Sequence, residues 1–317
     1  MKGKVIYLDQ FVVGKCFCPD ATEPHMAFYA QVAELCMDLA LKRIAIFPFS
    51  ESHLRETASV GDLSQRAVLT ENFQRLSSGR QFIQRSGILI KQATELWKQS
   101  PPDWSSDGVL FKHGLKFGDQ LESTQGPARA EQHELLRHVL TRWGSLPKSE
   151  VSGIAQTEAA TYARMCRRDL ARGFPATNDE TIALLGAAHN QLLSELFWLA
   201  TEDGLEDPSG CALAFLQDRA IDVPSIHLES ELWASFAKGR RPEDLPRASD
   251  PANTAEDIHF VSAFIPYCDA AFIDEGMRTL VTQSKLFKHL KPRVFSISNK
   301  DAFIAYLSSL RDSDGRS

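Results

Sequence analysis

Apolar positions along this chain change period, and the changes mark out its elements. Residues 5–8 (Val5, Ile6, Tyr7, Leu8) form a short unbroken apolar run that stops at Asp9, the pattern of a buried strand. Over 27–41 the apolar residues Phe28, Val32, Leu35, Cys36 and Leu39 recur at helical spacing, and a second run, Ile44, Ala45, Ile46 and Phe47, follows and ends at Pro48. Strand, helix and strand joined by short connections predict a parallel pair that delivers Asp9 and Ser50 to the same sheet edge. Ser50 suits the N-cap of the next helix, His53 completes only part of a capping box, and Glu56 lies one to two turns inside that helix.

From about residue 62 to 245 the period is helical, clearest over 73–97, 130–143, 151–170, 179–200 and 211–216. The stretches 100–108 and 239–242 have the Pro, Gly, Ser and Asp content of connections. After Pro251 strands and helices alternate again: helix 255–264, strand 270–273, helix 275–290, strand 293–297 and helix 300–310. The expected architecture is α/β, a Rossmann-like parallel sheet built by residues 1–60 and 251–311, interrupted by a mainly α-helical insertion over 61–250 and followed by a frayed tail at 312–317.

Composition changes this picture little. With 317 residues, 43% hydrophobic and 24% charged, the chain can bury one large core or two moderate ones. Its formal net charge of -6 excludes a protein coated in basic surface, so nucleic acid would have to be gripped by a local basic patch. The start runs into a strand without an apolar leader, and the long apolar stretch 184–199 is broken by His189, Asn190, Gln191 and Glu195. A cytoplasmic protein with no membrane partner is expected. The six cysteines are scattered and read as reduced thiols; Cys16 and Cys18 lie close together but lack partners at zinc-finger spacing.

The candidate chemistry comes from acids at strand ends. The run 270–273 delivers Asp274 just as 5–8 delivers Asp9, and in an open α/β sheet chemistry gathers outside the carboxyl ends of the strands. Carboxylates collected there repel one another unless a cation sits among them. Magnesium or manganese suits such a site, because it prefers carboxylate and water oxygens and leaves positions open for phosphate. The implied chemistry is phosphoryl transfer or phosphodiester hydrolysis, with a pair of ions able to generate the attacking hydroxide and stabilise the leaving oxygen. Asp257 also has a structural reading, since Thr254 and Asp257 match a capping-box start and an acid is favoured in the first turn of a helix.

The segments Tyr7-Leu8-Asp9-Gln10, Ser52-His53-Leu54-Arg55-Glu56, Glu256-Asp257-Ile258-His259 and Phe272-Ile273-Asp274 follow one another in a familiar order. In that order and strand context the chain resembles the PIN-like ribonuclease superfamily. The resemblance covers the two terminal segments and leaves the helical middle unexplained. It implies a metal-dependent nuclease acting on RNA in preference to DNA, with Asp9, Glu56, Asp257 and Asp274 as catalytic residues and ligands of Mg²⁺ or Mn²⁺. The long spacing between the second and third acids departs from a minimal PIN domain and requires the insertion. Asp269 is an extra candidate ligand, Glu51 competes with Glu56, and Gln10 is placed to orient a ligand or water, or to be a solvated amide.

Other constellations are weaker. An Asp after a first strand also fits hydrolases and phosphatases of haloacid dehalogenase type, but their general acid belongs two residues on, where Phe11 stands. His133 and His138 are five residues apart, not the four of a zinc-binding helix. Arg164, Arg167, Arg168 and Arg172 share one helical face and can hold phosphates or pair with nearby acids, and Lys285 and Lys288 belong to a second basic cluster. The five tryptophans all lie in the helical part, mostly as core candidates. The competing class is a non-catalytic PIN-like binding or scaffolding module whose acids serve caps and turns. A toxin-like nuclease held by a regulatory or antitoxin-like protein, and a homo-oligomer, are both compatible with the pattern.

Overall fold

The computed structural model describes residues 3–20, 22–111, 116–122, 192–237, 254–290 and 292–314. Four parallel strands form its sheet: β1 (Lys4–Leu8), β2 (Ala45–Ile46), β3 (Ala270–Phe272) and β4 (Arg293–Phe295), in the order β2-β1-β3-β4. The fold is therefore α/β, and both ends of the chain contribute to one parallel sheet. Ile6, Tyr7 and Leu8 lie opposite Ala270, Ala271 and Phe272, and the Asp9 amide continues the ladder by donating to Phe272 O at 3.0 Å. This register sets Asp9 and Asp274 at the carboxyl ends of adjacent strands.

Helices cover both faces, as an all-parallel sheet requires. They are α1 (Gln10–Phe17), α2 (Met26–Leu41), α3 (Glu51–Ser59), α4 (Leu63–Ser77), α5 (Arg85–Trp97), α6 (Phe117–Glu122), α7 (Pro208–Arg219), α8 (Pro224–Ala237), α9 (Thr254–Phe264), α10 (Glu275–Gln283) and α11 (Lys300–Asp314). Successive strand side chains point to opposite faces. Val5, Tyr7, Ala271 and Ile273 accordingly pack with Ile88 of α5, Leu232 and Trp233 of α8, Phe264 of α9 and Met277 of α10. Ile6, Leu8, Ala270, Phe272 and Phe295 pack with Val12, Val32, Phe73 and Phe303 from α1, α2, α4 and α11. Described helices from the middle of the chain thus take part in covering each face.

Two expected helices differ in extent. The continuous helix over 73–97 is two helices, because Ser78 (φ 50°) and Gly79 (φ 70°) both take the left-handed conformation that ends α4. The chain then runs extended beside Phe49, with Phe82 N donating to Phe49 O at 2.9 Å, before α5 begins. The helix over 275–290 stops at Gln283, and Ser284 turns aside to bond Glu231 of α8. Conversely, α1 starts immediately after Asp9, where no helix was expected. The expected helices over 130–143 and 151–170 lie outside the described residues.

Phe272 is fully enclosed, with its ring 4.9 Å from that of Phe303 and 5.7 Å from that of Phe28. Truncating it to Ala removes a buried ring between two layers and should cost about 3–5 kcal/mol of stability, read as a lower urea midpoint by circular dichroism.

Candidate active site

The carboxyl edge of the sheet collects acids from four elements. Asp9 follows β1 and caps α1, and Asp274 follows β3 and caps α10, its carboxylate accepting from Met277 N at 3.0 Å. Glu56 lies in α3, which leaves this edge from Ser50, and Asp257 lies in the first turns of α9, which runs from this edge back to the amino end of β3.

Electrostatics tie the four together. The Asp9 carboxyl is raised from 3.8 to about 7, first by burial and then by the neighbouring Asp274 charge, while the backbone amides of Phe11, Gln10 and Asp274 pull the other way. The buried Tyr7 phenol is pushed well above its usual range, first by burial and then by Asp9, Glu56 and Asp257, with only the Ser52 hydroxyl opposing. Three carboxylates therefore act electrostatically on one phenol, and the fourth acts on Asp9.

His53 fixes this geometry. Ser50 N donates to its Nδ1 at 3.0 Å, so Nδ1 is the acceptor, and the proton sits on Nε2, which donates to Leu8 O at 2.8 Å. The imidazole thereby closes the capping box of α3 and pins the start of that helix to the last carbonyl of β1. It stacks on Tyr7 at 5.2 Å and meets Phe73 at 4.8 Å. Burial lowers its pKa to about 4, so the ring is neutral at pH 7 despite the acids nearby. A second link comes from Gln10, whose Nε2 donates to Thr57 Oγ1 at 3.0 Å, next to Glu56. Gln10 Oε1 is enclosed and has no hydrogen-bond partner.

The helix carrying Asp257 is held by a buried polar trio. Arg85 of α5 pairs with Glu229 of α8, and Glu229 Oε1 faces His259 Nε2 at 3.3 Å. Burial lowers His259 to about 4, outweighing the pull of Glu229. Sequence reasoning missed this trio and the strand contact of His53, because the partners come from distant segments.

Three predicted candidates lie elsewhere. Asp269 stands at the amino end of β3, five residues before Asp274, roughly 16 Å away along an extended strand. Its carboxylate is used there by Lys4 Nζ at 2.8 Å and Val5 N at 2.9 Å, which makes it a clamp between β1 and β3. Lys285 and Lys288 are exposed on the connection that enters β4 from its amino end, so they too are on the opposite edge from Asp9. Glu51 pairs with Arg55. Arg164, Arg167, Arg168 and Arg172 lie outside the described residues.

Among the described residues, no three His, Cys, Asp or Glu side chains are grouped closely enough to cage an ion. The edge nevertheless fits a hydrated one. Magnesium usually takes only one or two carboxylates directly and keeps several waters, and Gln10 Oε1 is a buried acceptor without a donor. No protein-family model matches the chain, no curated protein matches it, and no solved structure matches it.

The titrations make opposite contributions to stability. His53 and His259, at about 4 against 6.5, take up protons on unfolding, so their effect is to lower stability as pH falls from about 6.5 to about 4. Asp9, at about 7 against 3.8, already holds its proton in the folded chain, so its effect is to raise stability as pH falls through about 7. Between about pH 6 and 5 two histidines oppose one aspartate, giving a net loss of about 1.4 kcal/mol per pH unit. Asp9→Asn should roughly double that slope. It should also stabilise the metal-free chain above pH 7, where the folded chain has to carry this carboxyl ionised. Chemical denaturation across pH measures both effects.

Proposed function

We propose that the chain is a divalent-metal-dependent nuclease that hydrolyses phosphodiester bonds at the carboxyl edge of its sheet. The observation that supports this reading is the delivery of Asp9, Glu56, Asp257 and Asp274 by four elements to the carboxyl edge of one sheet, where Asp9, Glu56 and Asp257 act on the Tyr7 phenol and Asp274 acts on Asp9. Such repulsion raises the energy of the ion-free chain and is relieved by a cation. Residues 1–60 and 251–311 form the PIN-like catalytic part, and RNA is favoured over DNA by the resemblance to PIN-like ribonucleases.

Bound Mg²⁺ or Mn²⁺ would supply an activated water and neutralise charge on the leaving oxygen. The chain's own groups have distinct tasks. Asp9, Glu56, Asp257 and Asp274 would hold the cation, and Gln10 Oε1 would orient a bound water. Tyr7 stays a neutral phenol at physiological pH, and neutral His53 keeps α3 in register with β1, so Glu56 stays fixed relative to Asp9. The second reading, a binding module whose acids are caps, draws on Asp274, which does cap α10 through Met277 N. That role would not require Glu56 and Asp257 to share Tyr7.

Asp9→Asn and Asp257→Asn should each lower Mn²⁺-dependent cleavage of a mixed tRNA and mRNA pool by at least about a hundredfold, or about 2.7 kcal/mol of barrier. Asp269→Asn, altered on the opposite edge, should retain cleavage. Mn²⁺ should raise the melting temperature of the wild-type chain and shift that of Asp9→Asn less. Full cleavage by both edge variants, or no thermal response to Mn²⁺, rules the mechanism out.

A further inference from the structure

Arg278 stands one helical turn beyond Asp274 in α10, and its hydrogen-bonding capacity is largely unused. A guanidinium carries five N–H donors in a planar fork. Here Nη1 reaches Glu275 Oε1 at 3.4 Å and Ser298 Oγ at 3.3 Å, both long contacts. Nε is enclosed and meets no acceptor. Among the described residues Nη2 has no hydrogen-bond partner, and it is not among the enclosed atoms, so it opens to solvent from a side chain that is 26% exposed.

Glu275, the acid that Arg278 reaches, is shared with other donors. Glu275 accepts from Ser296 Oγ and from Ser298 N, and these serines, more than Arg278, hold its carboxyl below the usual range. Ser296 and Ser298 follow the carboxyl end of β4, as Asp274 follows that of β3. Arg278 therefore places an under-used fork on the same edge as the four acids, on the β4 side of Asp274. A site made only of carboxylates would repel the substrate's own phosphates, and a guanidinium beside it is suited to bidentate phosphate contact.

We propose that Arg278 forms a phosphate-binding subsite, its Nη1 and Nη2 fork gripping non-bridging oxygens of the nucleic-acid backbone next to the scissile bond. The inference rests on the nuclease reading of the same edge. The subsite positions the strand and takes no part in the bond-breaking step.

The test uses the full-length chain carrying Asp9→Asn, a fluorescein-labelled single-stranded RNA of mixed sequence, and anisotropy titrations over a range of KCl concentrations. Adding Arg278→Gln should weaken binding about tenfold and reduce the slope of log K against log salt by about 0.7, the share of one phosphate contact on a single strand. In the cleavage-competent chain the same change should raise KM about tenfold and leave kcat within about twofold. Affinity, salt slope and KM all unchanged in a folded Arg278→Gln chain overturn the subsite, as does a loss of thermal stability with no change in slope. If that variant does not fold, Arg278→Lys decides: weaker affinity with the slope kept supports the fork, and parental affinity overturns it. An Asp9→Asn parent that binds no RNA, beside a wild-type chain that cleaves none, overturns the nuclease reading and the subsite with it. A binding parent matched by its Arg278→Gln derivative overturns the subsite alone.

Discussion

The contact on which the candidate site most depends is the neutral imidazole of His53 between Ser50 N and Leu8 O. It joins the last carbonyl of β1 to the first turn of α3, so one ring sets the distance from the Asp9 element to the Glu56 element. The ring serves only while uncharged, because protonation would remove the Nδ1 acceptor and leave the Ser50 amide without a partner in a buried place. Burial against Tyr7 and Phe73 keeps it uncharged. The apolar wall that desolvates His53 also desolvates Tyr7 and Asp9, so one environment holds a histidine neutral and an aspartate hard to ionise.

That environment makes the edge costly to the fold. A half-buried carboxylate beside a second one, with two more acids around the neighbouring phenol, opposes stability near neutral pH. The rest of the molecule is arranged to tolerate this. Fully buried strand residues such as Ile6, Phe272 and Ile273 anchor the elements that carry the acids, and each such side chain contributes about 1.5–3 kcal/mol of apolar burial. At the opposite edge the charges are complementary, with Asp269 clamped between Lys4 and the Val5 amide. The sheet thus carries compensated charge at its amino end and mutually repelling carboxylates at its carboxyl end.

Much of the frame was legible in the sequence, for a simple physical reason. Strands buried on both faces must be short continuous apolar runs, and residues 5–8, 44–47, 270–273 and 293–297 all contain observed strands. Asp9 and Asp274 were legible because each ends such a run. Local pattern failed where the chain turns back on itself. Ser78 and Gly79 interrupt a helical period that continues on both sides, and only their left-handed backbone reveals the break. Asp269 joins the candidate ligands in the sequence only through its nearness to Asp274. A parallel strand, however, sends the residues before it and after it to opposite ends of the sheet, which separates Asp269 from Asp274 by the full length of β3. Arg85, Glu229 and His259 were invisible as a group because each lies on a different helix.

The strand order also constrains how the two ends of the chain cooperate. β1 and β3 are central neighbours, and neither Asp9 nor Asp274 has a defined position without the ladder between Leu8 and Phe272. Such a ladder closes only after a very long loop, and loop-closure entropy opposes that step. The opposing entropy is met partly by helices from within the loop: α5 and α8 pack on the face bearing Val5, Tyr7 and Ile273, and α4 packs on the face bearing Leu8 and Phe272. The described middle helices are therefore part of the structure that brings the acids together. The Arg85, Glu229 and His259 trio ties α5 and α8 to α9 two residues from Asp257, so these helices help to hold the element that carries that acid.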